Sequence, residues 1–233
     1  LHFLCRTNNQ DETARLKILK LLIEKHPESI QHADNDGSLP IHLACAWRSV
    51  EFCRVLIEAY PGSERIANGN GGLPLHYACT NNTAAMVEYL YKLYPGAINH
   101  ATTSGAYPIH SAICSMSTRN NPVAAVDIVQ FLLDCDPNVK LQKHGGRSLL
   151  HFACTRGYNE SNIEAALGVF RVICDAHPES VREEDIDGRL PLHFLCRTNN
   201  QDETARLKIL KLLIEKHPES IQHADNDGSL PIH

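Results

Sequence analysis

One short string returns along the chain at nearly regular distances, and a chain patterned this way folds as an array of similar units. The copies read LHFLC from Leu1, LPIHLAC from Leu39, LPLHYAC from Leu73, YPIHSAI from Tyr107, SLLHFAC from Ser148, LPLHFLC from Leu190 and LPIH from Leu230. Their histidines, His2, His42, His76, His110, His151, His193 and His233, are separated by 40, 34, 34, 41, 42 and 40 residues. A second landmark, Pro27, Pro61, Pro95, Pro137, Pro178 and Pro218, shows where the length varies. From each proline to the next motif histidine there are 15 residues in five units and 14 in one, whereas from histidine to proline there are 19 in two units and 25 to 27 in the other four. Insertions therefore fall at one place in the unit.

Each unit reads as two helices. The motif puts Pro in a first helical turn, where its missing N–H does no harm, and follows it with apolar residues at helical spacing. In the second unit Val50, Phe52, Cys53, Val55, Leu56 and Ile57 form the broader apolar face of a second helix that ends before Pro61. In the longer units that helix is announced by Asn121 before Pro122, and by Ser161 with Glu164 three residues on, a capping-box spacing. The polar tracts RTNNQDET, SMSTRNN and TRGYNES read as enlarged tips between the helices. After each proline comes turn chemistry: DNDG at Asp34, NGNG at Asn68, TTSG at Thr102, HGG at His144, DIDG at Asp185 and DNDG at Asp225. A hairpin-like loop is expected there.

The string D-x-x-G-x-L-P-L-H-x-A-C, seen at Asp34 to Cys45 and at Asp185 to Cys196, closely resembles the ankyrin repeat's D-x-x-G-x-T-P-L-H-x-A-A. Several copies in register make the likeness specific. It implies an all-α fold, an ankyrin-repeat solenoid of stacked helix-turn-helix units joined by hairpin-like loops, running as a single array over 1–233. The approximate repeats are 1–36 (incomplete at its N-terminal side), 37–70, 71–104, 105–145, 146–187, 188–227 and the start of another at 228–233. Three departures matter. The family's Thr is Leu39, Leu73, Tyr107, Leu190 or Leu230, with a hydroxyl kept only at Ser148, so the motif histidines are expected to bond to backbone. The Gly after the second helix gives way to His-Pro, Tyr-Pro or Asp-Pro. Leu195 stands where the family has a small Ala.

Candidate chemistry is weighed against this scaffold. The pairs His2/Cys5, His42/Cys45, His76/Cys79, His151/Cys154 and His193/Cys196 each put two zinc-type ligands on one helical face, which is half of a four-ligand site. The alternative is a histidine that steadies the junction from loop to helix and a cysteine filling a small buried position. The same pairs are poor nucleophile dyads, because five equivalent copies recur without a third orienting group. Neither a metal nor any other cofactor is expected, and the chain is not read as an enzyme. DNDG resembles a calcium loop, but with Gly37 at loop position 6 the place of the bidentate Glu is taken by Leu43, so these strings are turns. His26, His177 and His217 fall at second-helix C-termini, where a positive charge suits the dipole.

Composition narrows the partners. A formal net charge of −5 lacks the cationic excess of a nucleic-acid binder, and no apolar stretch is long enough to insert in a bilayer. The 9 cysteines mostly sit inside helical patterns, which fits a reducing cytoplasmic or nuclear compartment. A protein partner is left. By resemblance, its contacts come from tips and from residues just after the motif: Arg6, Ala46, Trp47, Arg48, Thr80, Asn81, Ser115, Thr155, Arg156, Arg197 and Thr198, with Asn35, Asp36, Asn70, Ser104, His144, Ile186 and Asp187 at the tips. Trp47, the one tryptophan, reads equally as an exposed anchor and as a cover for the long tip of the preceding repeat. The expected role is a non-catalytic protein-interaction scaffold. Its alternatives are a self-associating structural array and, more weakly, metal binding by the His-x-x-Cys pairs.

Residues 1–42 and 192–233 are identical at every position, tip residues Asn8, Asn9, Gln10 and Asp11 included. Folding alone does not demand this, and a recent duplication or an artefact of engineering or sequence assembly explains it better. The chain reads as a piece cut from a longer array with a period of 191 residues, and end-to-end association through its uncapped terminal repeats is a further expectation.

Overall fold

The computed structural model describes residues 1–6, 11–198 and 202–232, and the described residues form helices and turns without strands. The expectations for Asn8, Asn9, Gln10 and His233 lie outside the described residues. In chain order the helices are α1 (His2–Arg6), α2 (Glu12–Lys25), α3 (Pro40–Trp47), α4 (Val50–Ala59), α5 (Pro74–Asn81), α6 (Ala84–Leu93), α7 (Pro108–Ser115), α8 (Val123–Cys135), α9 (Leu149–Cys154), α10 (Ile163–Ala176), α11 (Pro191–Arg197) and α12 (Glu203–Lys216). The chain divides into two compact units, Leu1–Ser111 and Ala112–His233, with the division inside α7.

Local chemistry sets the helix limits. Pro40, Pro74 and Pro191 occupy the first turn of their helices, where no N–H is needed. Asp11 and Asp202 accept hydrogen bonds from the first-turn amides of Ala14 and Ala205, at 2.9 and 3.1 Å, and Ser49 Oγ does the same for Phe52. The capping box expected at Ser161 and Glu164 does not form. Asn162 is the N-cap of α10, and Ser161 instead donates both N–H and Oγ to Asn159 Oδ1. Each second helix stops one residue before its proline. His26, Tyr60, Tyr94, Asp136, His177 and His217 sit at φ between −138° and −150°, because the proline ring excludes the residue before it from the helical region.

The segment after the proline is more structured than a plain hairpin loop. Pro27–Gln31, Pro95–Asn99, Pro137–Leu141, Pro178–Arg182 and Pro218–Gln222 each form a 3-10 turn. These turns send Ile30, Ile98, Val139 and Val181 into the core. Val139 lies two residues after its proline where the others lie three, which accounts for the one unit with a 14-residue spacing.

Within the first unit the core runs through Leu39, Ile41, Cys45, Phe52, Leu56, Leu73, Leu75, Met86 and Leu90. In the second it runs through Ile128, Leu132, Leu149, Leu150, Tyr158, Phe170, Ile173, Leu192, Leu195 and Ile209. Full burial of each large aliphatic or aromatic side chain stabilises by about 1.5–3 kcal/mol. The enlarged tips join this core. Met116 and Tyr158 are fully buried, and Tyr158 anchors its tip by donating to the carbonyl of Ala153 at 2.8 Å.

Candidate functional site

In α3, α5, α7, α9 and α11 the motif histidine occupies the third position and is buried, while His2 opens α1. In those five helices its Nδ1 accepts the N–H of the residue that opens the motif, from Leu39 at 2.9 Å, Leu73 at 3.1 Å, Tyr107 at 3.2 Å, Ser148 at 3.3 Å and Leu190 at 3.1 Å. An accepting Nδ1 leaves the proton on Nε2. From there it reaches a carbonyl in the next repeat, His2 to Ser38 at 2.7 Å, His76 to Ala106 at 3.2 Å, His151 to Arg189 at 2.8 Å and His193 to Ser229 at 3.2 Å, whereas His42 meets Ile66 of its own repeat at 3.0 Å. Backbone bonding thus replaces the hydroxyl partner where the opening residue is Leu. At Ser148 the hydroxyl is retained and meets His151 Nδ1 at 2.7 Å.

Burial holds His42, His76, His151 and His193 below the usual imidazole range, His76 down to about 4. The thiols move the other way for the same reason. Cys5 is pushed up to about 12 and Cys174 to about 11, and Cys154 rises well above its ordinary value. A neutral imidazole with both nitrogens spent on backbone has no lone pair for a metal and no proton to exchange with a thiol. Cys45 and Cys53 approach to 3.9 Å between sulfurs inside the core, as packed thiols.

The DxDG segments are Asx turns. Asp34 Oδ1 accepts from the amides of Asp36 and Ser38, Asp185 Oδ1 from those of Asp187 and Arg189, and Asp225 Oδ1 from those of Asp227 and Ser229. Successive tips are stitched together. Gly69 N–H donates to Asp36, Thr103 N–H to Asn70 and Asn226 N–H to Asp187. One oxygen of each turn carboxylate is thus spent on backbone, while the other oxygen of Asp185 and of Asp225 lies 3.8 and 3.5 Å from Arg147 and Arg189.

The residues proposed for partner contact divide by burial. In the first unit Arg6, Asn35, Asp36, Asn70 and Ser104 are exposed, Trp47 is 40% exposed, and Thr80 and Asn81 are partly so. Ala46 and Arg48 are not. Arg48, 4% exposed, donates Nε to the carbonyl of Cys5 at 3.1 Å and places Nη1 3.3 Å from Glu12, whose other oxygen accepts from Ser49 N–H and Oγ. Asn82 adds a second link, donating to the carbonyls of both Cys45 and Arg48. These two side chains tie neighbouring repeats together.

In the second unit Arg197 and Ile186 are exposed, while His144, Thr155, Arg156, Asp187 and Thr198 are partly so. Ser115 is buried and bonds to the carbonyl of Ala112 at 3.1 Å, because its tract turns Met116 inward. Two aromatic side chains escape the sequence reading here. Phe152 and Phe194, each directly after a motif histidine, carry guanidinium groups on their rings: Arg156 lies 5.3 Å from the centroid of Phe152 and Arg147 lies 4.6 Å from that of Phe194. The His144 ring meets Phe152 edge-on at 5.1 Å, and Ile186, 77% exposed, lies against Gly146 of the preceding tip. The signal was the recurring aromatic after the histidine. In the first unit that position holds Phe3, 80% exposed, and Tyr77, whose hydroxyl is bound by Asn68 Nδ2 at 2.7 Å and is therefore structural.

Among the described residues no group of three or more His, Cys, Asp or Glu side chains could hold a metal ion, and no helix is long and apolar enough to cross a membrane. Residues 119–225 match the family described as ankyrin repeats (3 copies). Among solved structures the chain is similar to the human ASB11 ankyrin repeat domain, with 18% identity over 99% of this chain and 88% of that one and a TM-score of 0.65. It is also similar to the ankyrin repeat domain of Bcl-3, described as a unique member of the IkappaB protein family, with 18% identity over 95% of this chain and 87% of that one and a TM-score of 0.61. No curated protein matches the chain in sequence.

Proposed function

Taking as premise that residues 119–225 are ankyrin repeats and that the chain has the ankyrin-repeat fold, we propose that it is a non-catalytic scaffold that binds a partner protein through its tips and the outer sides of its first helices. The observation that carries this reading is a division of labour among side chains. The motif imidazoles from His42 to His193 are turned inward and spent on backbone, and most of the thiols are buried in the core, while the outward positions carry Trp47 in one unit and Phe152, Arg156, Phe194, Arg147 and Ile186 in the other. Aromatic and Arg anchors of this kind dominate interface energies. Ala46, Arg48 and Ser115 drop out of the contact set because they are buried, and Phe152 and Phe194 enter it. A reducing cytoplasmic or nuclear setting suits the buried free thiols, and the acidic net charge favours a protein over a nucleic acid.

The test is paired. The double substitution Ile186→Asp and Arg197→Glu should lose partners recovered with the wild-type chain and leave the melting temperature within about 2 °C, as expected of surface changes. Val123→Asp, at a position 59% exposed on a second helix, should keep them. Retention by the first variant, or loss by the second, would place the contact surface elsewhere. Self-association is a second reading, and the identity of residues 1–42 with 192–233 favours it.

A further inference from the structure

The second helices of the second unit carry charge in an arrangement that packing does not explain. α10 and α12 lie side by side, and the ion pairs of Lys208 with Glu164 at 2.7 Å and of Lys216 with Asp175 at 3.4 Å fix their register. Between those pairs runs a groove of about 430 Å³. Leu167 and Leu212, 6% and 9% exposed, form its floor. Arg171 stands four residues after Leu167 on α10, and Lys208 and Lys216 stand four residues to either side of Leu212 on α12, so apolar and basic side chains share one face of each helix.

Arg171 and Lys211 line the middle of this groove, and both are exposed. Neither makes an ion pair among the described residues, and Arg171 acts on Glu164 only at longer range. Cation beside cation opposes folding, since like charges on facing turns repel. With Lys208 and Lys216 the groove holds four cations against two carboxylates, Asp175 and Glu215, in a chain whose net charge is −5. The two paired lysines stay available, because the side chains of Glu164 and Asp175 are 73% and 72% exposed and pairs so open to water contribute at most about 1 kcal/mol. A further repeat beside α12 would leave the groove open. Lys20 and Glu24, which correspond to Lys211 and Glu215, remain exposed with α4 packed against α2.

We propose that this groove docks an acidic segment of a partner protein, with an apolar side chain over Leu167 and Leu212 and carboxylates on Arg171 and Lys211. Length decides between a segment and a small anion. Lys208 and Lys216 are eight residues apart on α12, about 12 Å along its axis. One phosphate cannot meet cations spread over that distance, whereas an extended peptide covers it with about four residues at about 3.3 Å each. The floor points the same way, because burying Leu167 and Leu212 further favours an apolar side chain and gives a bare anion nothing. Charge complementarity of this kind makes association fast and sensitive to salt. The site lies on the second helices and is independent of the tips and first-helix side chains assigned to partner binding.

The experiment titrates the full chain into a fluorescein-labelled peptide, Glu-Glu-Leu-Leu-Glu-Glu, and follows its anisotropy. Saturable binding is expected at an ionic strength of about 0.05 M and its loss at about 0.5 M, where screening confines the groove charges to a few ångströms. The peptide with Gln in place of Glu should bind at least about tenfold more weakly, and so should the wild-type peptide to the double variant Arg171→Glu and Lys211→Glu. Both positions are exposed, so the melting temperature of that variant should stay within about 2 °C of the wild type. Arg171→Gln with Lys211→Gln should fall between the two. Ile186→Asp with Arg197→Glu should bind the acidic peptide as the wild type does, which separates this groove from the tip surface. Absence of saturable binding overturns the proposal, as does undiminished binding by the charge-reversed chain. A single-stranded oligodeoxynucleotide that binds more tightly than the peptide, and loses that binding in the same variant, would assign the groove to nucleic acid and overturn it too.

Discussion

Adjacent residues Trp47 and Arg48 show why side-chain type alone misleads at this scale. Both follow a motif that ends in Cys, and both suit a contact surface, yet Trp47 is 40% exposed and Arg48 4%. The deciding contact is Glu12, which lies 36 positions away in sequence and so is invisible to local pattern. Arg48→Ala should cost about 1–3 kcal/mol in chemical denaturation, since it removes charge-assisted bonds to Glu12 and strands the Cys5 carbonyl. Trp47→Ala should cost less than about 1 kcal/mol and weaken partner binding. A larger stability loss at Trp47 would make it a packing residue. By contrast, the bonding of the motif histidines to backbone was legible, because five of the seven motifs open with a Leu or Tyr followed by Pro and offer the imidazole no other near partner.

Those histidines also set an acid limit. Burial holds His42, His76 and His151 below 6.5 in the folded chain, and unfolding releases them to that value. Between pH 6.5 and about 4, the folded value for His76, the unfolded chain thus binds more protons than the folded one. Stability from this source is complete above pH 6.5 and declines as pH falls through that interval. Thermal melts from pH 7.5 to 4.5 should show a falling midpoint, and the fall should be shallower in His76→Gln, whose lower starting stability reflects the lost bonds to Leu73 and Ala106. A midpoint independent of pH over that range would contradict the assigned protonation.

At the scale of elements, the insertion point and the two-helix unit could be read from spacing, whereas the 3-10 turn after each proline could not. Proline announces that the helix ends, but it does not say whether the chain then runs extended or coils once more. What decides is the burial of Ile30, Ile98 and Val181 three residues on, a tertiary gain that local sequence does not display. The long tips were misjudged for a related reason, since Met116 and Tyr158 lie within otherwise polar tracts. Turn glycines offer a graded test. Gly37 has φ +73°, and a Cβ there would sit 2.7 Å from Gly69 N in the neighbouring tip, while Gly62 at φ +88° has open space around it. Gly62→Ala should cost only the left-handed strain, on the order of 1 kcal/mol, and Gly37→Ala should cost more, toward about 3 kcal/mol, because the tip ladder must also shift. Equal losses at the two sites would mean that the tip-to-tip bonds contribute little.

For the molecule as a whole, the family resemblance rested on the motif in register, and the fold agrees with it at TM-scores of 0.65 and 0.61 despite 18% identity. The outward group on the second unit was half legible. Arg156, His144 and Ile186 stand where the family makes contacts, but Phe152 and Phe194 follow the histidine and read as core until their Arg partners are seen. The central claim is that the inward groups hold the array and the outward ones bind. A photoactivated cross-linking residue placed at Ile186, and separately at Val123, tests it most directly in the source cell extract. A discrete protein adduct is expected from position 186 and none from 123; adducts from 123 with none from 186 mean that the outward group does not bind.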